Sequence, residues 1–267
     1  MLDHNTLWQD IRLIREKAPL VHNITNYVVM NNTANALLAL GASPVMAHAL
    51  EEVEDMVKAT AAMGGALIIN IGTLSKPWIE SMSRAMQSAK LFGIPIVFDP
   101  VGAGATPFRT DTCRTLLNTI GATIIRGNAS EILALTNVNM RTKGVDSSQG
   151  SEAAIESAEE LARRHNCVVC VSGEKDIITN SSQSIPVING HPLMAKVTGM
   201  GCTATALIGA FAAINDDPLK AAAHAMSVMG IAGELAGAKA NGPGTMQLYF
   251  YDALYQLTPA HIEASLK

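Results

Sequence analysis

The segment Ile94-Pro95-Ile96-Val97-Phe98-Asp99-Pro100-Val101-Gly102-Ala103-Gly104 changes character at one bond. Up to Phe98 nearly every residue is apolar, so neither side of a strand here could face water, and such a strand needs cover on both faces. From Asp99 the chain turns acidic and glycine-rich, the composition of a turn leaving the carboxyl end of a strand. An open parallel sheet with helices on each side supplies both features.

The neighbouring segments repeat the unit. On the amino side, Ala66 to Ile71 reads as a strand and Pro77 to Leu91 as a helix; on the carboxyl side, Pro107 to Ile120 reads as a helix and Ala122 to Ile125 as a strand. Further out, strands at Pro19 to Ile24 and Ser43 to Met46 flank a helix from Asn31 to Leu40, which Gly41 ends. A helix at Ser151 to Arg164 leads to a strand at Cys167 to Val171, and a hairpin is expected to pivot on Asn189-Gly190. From Gly201 the chain reads as helix, through Ala204 to Ile214 and Leu219 to Ala240. Leu7, Trp8, Ile11 and Ile14 give the stretch from Met1 to Lys17 one apolar helical face. The polar loop Arg141 to Gly150 is too short to divide the chain, so residues 1–267 are expected to form one α/β domain with a mostly parallel sheet.

Composition excludes several classes of partner. Hydrophobic residues make up 48% and aromatic ones 4%, so small aliphatic side chains must fill the core. A net charge of -4 with no basic cluster longer than Arg163-Arg164 gives no footprint for nucleic acid. The most apolar stretch, Ala204 to Ile214, is too short for a bilayer, and the N-terminal pattern is not a signal peptide, so a cytoplasmic protein is expected. Cys113, Cys167, Cys170 and Cys202 are too scattered for a disulfide scaffold. Cys167-Val-Val-Cys170 matches a redox spacing, but residues three apart on a strand point to opposite faces, so two buried thiols are expected.

Ligands of open α/β sheets bind beyond the carboxyl ends of the strands. Five such ends are polar: His22 to Asn26, Asn70 to Thr73, Asp99 to Gly104, Arg126 to Glu131, and Ser172 to Glu174. Any one alone would pass as an ordinary turn; together they outline a site. The segment Lys196-Val-Thr-Gly-Met-Gly-Cys-Thr-Ala-Thr-Ala206 runs a glycine turn straight into a helix of small residues. The free N–H groups of such a turn, with the helix dipole, suit a phosphate or a transferring phosphoryl group. No G-x-x-x-x-G-K-[ST] loop occurs, Gly102-Ala-Gly104 has Pro107 where a dinucleotide fingerprint needs its third glycine, and neither G-x-S-x-G nor His-x-x-x-His is present.

His22-Asn-Ile-Thr-Asn26, Gly41-Ala-Ser-Pro-Val-Met46, Asn70-Ile-Gly-Thr73, Asp99-Pro-Val-Gly-Ala-Gly-Ala-Thr106, Arg126-Gly-Asn-Ala-Ser-Glu131 and Val197-Thr-Gly-Met-Gly-Cys202 resemble, in order, the signature segments of the hydroxyethylthiazole kinases, a thiamine-salvage family of ribokinase-like fold. The resemblance spans nearly the whole chain. It implies a three-layer α/β/α fold without a separate lid, ATP as co-substrate, Mg²⁺, and a homotrimer with active sites at subunit interfaces. It also implies that Asn26, Val28 and Met46 line the thiazole pocket, that Arg126, Asn128 and Ser172 contact ATP, and that Gly199 contacts the alcohol. The turn Gly199-Met200-Gly201-Cys202 would be the anion hole, Asp99 and Glu131 the metal ligands, directly or through water, and Cys202 the catalytic residue, where most of the superfamily carries an Asp. Glu131 would equally suit the first turn of a helix through the dipole alone. A helix N-terminus is expected to lower the Cys202 pKa. A kinase for hydroxymethylpyrimidine, a nucleotide-binding protein without catalysis, and a dehydratase acting on a nucleotide cofactor share the fold and stand as alternatives.

Overall fold

The computed structural model describes residues 2–136 and 147–267. Its strands are β1 (Leu20–Ile24), β2 (Ser43–Val45), β3 (Ala66–Asn70), β4 (Ile96–Asp99), β5 (Ile124–Asn128), β6 (Val168–Ser172), β7 (Asp176–Thr179) and β8 (Ser184–Val187). They form one sheet in the order β2-β1-β3-β4-β5-β6-β7-β8, parallel through β6 and antiparallel at the last two.

Alternate residues of the central strands serve two separate cores. Leu67 and Ile69 of β3 join Ile96 and Phe98 of β4 on one face, while Ile68 and Val97 point to the other. The first face is covered by α3 (Val53–Ala62), α4 (Lys76–Phe92), α5 (Pro107–Thr119), α6 (Ala129–Thr136) and α7 (Ser147–His165). The second is covered by α1 (His4–Lys17), α2 (Met30–Leu40), α8 (Met200–Ala212), α9 (Pro218–Gly237), α10 (Pro243–Gln256) and α11 (Pro259–Ser265). Each fully buried Ile, Val or Phe of these strands contributes about 1.5–3 kcal/mol, which is why the apolar run from Ile96 to Phe98 tolerates no polar residue. Cys167 and Cys170 lie in opposite cores, both buried. Among the described residues no helix is long and apolar enough to cross a membrane.

Several boundaries differ from the sequence expectation. β4 starts at Ile96, two residues late, because Ile94 N–H closes the end of α4 on Ala89 O (3.1 Å), with Gly93 left-handed at φ 69°. β5 runs past its apolar part, so Arg126, Gly127 and Asn128 pair with Cys170, Val171 and Ser172; polar side chains do not end a strand whose neighbour continues to supply backbone partners. The hairpin turns at Asn180 to Gln183 and not at Asn189-Gly190. There Asn180 Oδ1 accepts from the Ser182 and Gln183 amides, and Ser181 takes φ 73°. Gly190 follows β8 and donates its N–H to Glu234 Oε1 (3.1 Å).

α8 begins at Met200, one residue before the expected Gly201, because Gly199 at φ 85° forms its N-cap. α3 was not expected; its buried face, Val53, Val57 and Thr60, is narrow among acidic and small residues. Of the loop expected at 141–150, residues 141–146 lie outside the described residues and 147–150 open α7, as Met1 lies outside them ahead of α1.

Candidate active site

The carboxyl edge of the sheet gathers the polar strand ends, and the first turn of α8 lies against it. Register alone sets Asn70 beside Asp99 and Asn128 beside Ser172. The amides of Met200, Gly201 and Cys202, in the first turn of α8, have no carbonyl partner within the helix. Two glycines allow this approach. A Cβ on Gly199 would stand 2.8 Å from Val29 Cγ1, besides being strained at φ 85°, and one on Gly201 would stand 2.7 Å from Arg126 Nη1. A guanidinium therefore sits against the positive end of a helix, an arrangement that calls for an anion between or beside them.

Asp99, the last residue of β4, is fully buried. Its Oδ2 accepts from Asn70 Nδ2 (2.9 Å) and Thr205 Oγ1 (2.7 Å), while Oδ1 is buried without a hydrogen-bond partner among the described residues. Burial pushes its pKa up to about 6, against the pull of Arg126 and with the push of Glu131. A buried, half-partnered carboxylate of this kind fits a hard cation, which prefers oxygen ligands. Among the described residues no group of three or more His, Cys, Asp or Glu could hold a metal alone, so phosphate oxygens and water would have to complete its shell.

Glu131 is already engaged by its own loop. Its Oε1 accepts from Gly102 N–H and its Oε2 from Asn128 N–H, both at 2.9 Å. Asn128 Oδ1 in return accepts from the Glu131 amide (3.0 Å), a reciprocal cap on α6. The carboxylate thus ties the turn after β4 to the end of β5, and a metal would reach it through water or by displacing those donors. The side-chain carbonyl of Asn128 is taken up by the cap.

Arg126 is buried with Nη2 donating to Ser172 Oγ (2.5 Å) and Nε without a partner among the described residues. Both line a cleft of about 680 Å³, bounded by Met200 and Gly201 of α8, Met226 and Met229 of α9, and the segment Ile188 to Met194. Asp176 closes it below, its pKa pushed up to about 6 by burial while its Oδ1 accepts from Gly173 N–H (2.9 Å).

Cys202 stands on the other side of the α8 turn. Its Sγ accepts from Asn26 Nδ2 at 3.5 Å. The expected lowering of its pKa is overturned: burial, with the charge of Asp99 adding to it, pushes the thiol up to about 11, and the donors Asn70 and Asn26 and the charge of Arg126 only partly offset this. Desolvation of a thiolate outweighs the helix dipole here. Asn26 is buried, Val28 is 65% exposed and Met46 is half-buried, so these three do not line the 680 Å³ cleft. The Met46 segment is held by buried His22, which donates Nε2–H to Ala47 O (2.7 Å); burial lowers the His22 pKa and keeps the ring neutral.

The sequence reading placed Asn70 and Thr205 in site segments without giving either a role, and it missed Arg109. Arg109 donates to Ile71 O, Val101 O and Gly72 O (2.9, 3.0 and 3.0 Å), pinning the turns after β3 and β4 together. Its signal was available: a cation in the first turn of a helix opposes the dipole and needs another reason to be there.

The family model described as "Hydroxyethylthiazole kinase family" matches residues 11–260. A hydroxyethylthiazole kinase of Syntrophus aciditrophicus is 56% identical over 97% of this chain and 95% of that protein. The solved hydroxyethylthiazole kinase structure from Pyrococcus horikoshii OT3 superposes with a TM-score of 0.90 at 44% identity, covering 98% of both chains. A ribokinase-like superfamily protein from Enterococcus faecalis V583 shares the fold alone, with a TM-score of 0.63 at 12% identity over 95% of this chain and 94% of that one.

Proposed function

This chain belongs to the hydroxyethylthiazole kinase family, and from that premise we propose that it transfers the γ-phosphoryl group of ATP to the primary alcohol of 4-methyl-5-(2-hydroxyethyl)thiazole. The observation that carries the reading is the first turn of α8, with a cleft walled by Arg126 and Ser172 on one side and the Asn26–Cys202 contact on the other. A donor and an acceptor could meet across such a turn.

In this reading ATP occupies the 680 Å³ cleft, with Arg126, Asn128 and Ser172 holding it, and the thiazole lies against Asn26, Val28 and Met46 with its hydroxyl near Gly199. The bond from the γ-phosphorus to the bridging oxygen of ADP breaks, a bond to the alcohol oxygen forms, and the hydroxyl proton leaves. The amides of Met200, Gly201 and Cys202 stabilise charge on the equatorial oxygens, and Arg126 neutralises the phosphates beside them. Mg²⁺, held by Asp99 and through water by Glu131, would supply charge neutralisation on the departing phosphates. Cys202 takes the alcohol proton only where its thiol has first released its own proton to water; otherwise that proton passes to an oxygen of the transferred phosphoryl group. A thiol with a pKa near 11 is not a standing thiolate at neutral pH, and a loose transition state asks little of its base.

Residues 1–267 act as one kinase domain, a view supported by the one continuous sheet of the described residues, and the domain works in the cytoplasm. The assembly is a homotrimer with active sites at the subunit interfaces. Supporting this, Tyr27 and Val28, next to the proposed thiazole contact, are each 65% exposed, a poor state for an apolar pocket wall unless a second copy covers it.

ADP formation from Mg-ATP, measured in parallel with hydroxyethylthiazole, hydroxymethylpyrimidine, pyridoxal and no alcohol, tests the reading. Strong turnover with the thiazole alone is expected. Turnover with another alcohol alone would move the substrate, and none with any alcohol would return the chain to a nucleotide-binding role.

A further inference from the structure

Two buried asparagines join the halves of the site, and neither amide can be turned around. Asn26 Oδ1 accepts from Val28 N–H (3.1 Å), a group that can only donate, so Nδ2 must face Asn70 Oδ1 (3.0 Å) and Cys202 Sγ (3.5 Å). Asn70 Oδ1 likewise accepts from Gly72 N–H (2.9 Å), so its Nδ2 must face Asp99 Oδ2 (2.9 Å). Both residues are buried, and a Cβ on Gly72 would fall 2.6 Å from Asn26 Nδ2, so the pair cannot be crowded by any larger residue there. The outcome is one directed chain, with Cys202 at one end, Asp99 at the other, and Asn70 hydrogen-bonded to both Asn26 and Asp99.

We propose that Asn70 is a positioning residue for phosphoryl transfer, holding the Asn26 amide against the alcohol side and leaving Asp99 Oδ1 free on the phosphate side. The inference rests on the kinase reading above and goes further, because it assigns one side chain to the coupling of the two substrates. The two ends of its amide act separately. The carbonyl aligns Asn26 and Cys202; the amine occupies Asp99 Oδ2, which with Thr205 on the same oxygen directs the unpartnered Oδ1 toward a cation. Losing one buried hydrogen bond of this kind shifts an equilibrium by about tenfold.

The test uses the full-length protein, with calorimetric binding of hydroxyethylthiazole alone and of Mg-ADP alone, followed by steady-state kinetics. Asn70→Ala is expected to weaken both ligands by roughly tenfold, with kcat falling further than either. Asn70→Asp keeps the acceptor for Gly72 and Asn26 but sets a second carboxyl against Asp99, a buried pair that must share a proton, so thiazole affinity should stay near wild type while Mg-ADP affinity falls. Thr205→Val should weaken Mg-ADP only. In the Asn26→Ala, Asn70→Ala double variant, the loss of thiazole binding should be smaller than the sum of the two single losses, since Asn70 and Asn26 hold each other and act on the same thiol. Additive losses in that cycle, or Asn70 variants that melt at a lower temperature yet bind both ligands as wild type does, would overturn the proposal. Failure of the wild type to bind or phosphorylate the thiazole would instead sink the kinase reading on which it rests.

Discussion

The two sides of the α8 turn are built to different degrees by one chain. On the side proposed for the nucleotide, Arg126, Ser172 and Asp176 help enclose a cleft of about 680 Å³ that combines buried charged groups with four methionines. On the side proposed for the alcohol, Asn26 and Cys202 are fixed by hydrogen bonds, but the neighbouring Tyr27 and Val28 are exposed. Strand ends and one helix terminus suffice to hold phosphates, because backbone amides and a guanidinium are positioned by the sheet itself. A small apolar ring needs walls on every side, and a ring at the proposed place would meet one that is open.

The largest effect is expected where the two sides share a group. Asp99→Asn, or removal of Mg²⁺ with EDTA, should cut kcat by roughly a hundred- to a thousandfold in the ADP-release assay. The same substitution should stabilise the unliganded protein. Asp99 has its pKa raised by burial from 3.8 to about 6, so between those values the unfolded chain ionises while the folded one resists, and stability is lost as pH rises through that window. A neutral amide in place of the carboxyl avoids the loss. Thermal melts should therefore show the Asp99→Asn variant several degrees above wild type at pH 7 and level with it near pH 4. Equal melting at both values would mean that Asp99 ionises freely.

Val28→Glu should next separate the two sides. Placed on the exposed face, it is expected to leave ATP binding intact while lowering kcat/KM for the thiazole by about a hundredfold and shifting sedimentation from trimer to monomer. A monomer with full activity would show that the alcohol side is complete within one chain.

Arg126→Lys should act on the nucleotide side, raising KM for ATP by about tenfold or more with little change for the alcohol, since an ammonium cannot reproduce the forked contact that also reaches Ser172. The smallest effect is expected at Cys202. Cys202→Ala should lower kcat by about tenfold without abolishing it, and Cys202→Asp should keep or raise it, the Asn26 amide then donating to a carboxylate in place of sulfur. A folded but inactive Cys202→Asp protein would remove the proposed proton acceptor.

Much of this could be read along the chain. Apolar runs such as Ala66 to Ile71 announced buried parallel strands, because a residue that must be dry on both faces leaves only a narrow choice of side chains. The polar residues at their ends marked the site's edge, and Gly199-Met200-Gly201 marked a helix start. The hairpin misled, because Asn-Gly suits a tight turn wherever it occurs, whereas Asn180 made the turn through its own side chain. Glu131 was legible both as a metal ligand and as a helix-start carboxylate, and only the contacts of Gly102 and Asn128 revealed how occupied its oxygens are.

The sequence by itself determined the layers and the edge on which chemistry would gather, because burial on two faces and turn geometry each restrict residue type locally, and its ordered motif segments carried the family resemblance. Tertiary structure alone decided the ionisation of Cys202 and Asp99 and the direction of the Asn26–Asn70–Asp99 chain. Desolvation and amide orientation depend on groups 29 to 176 positions apart in the chain, which no local pattern records.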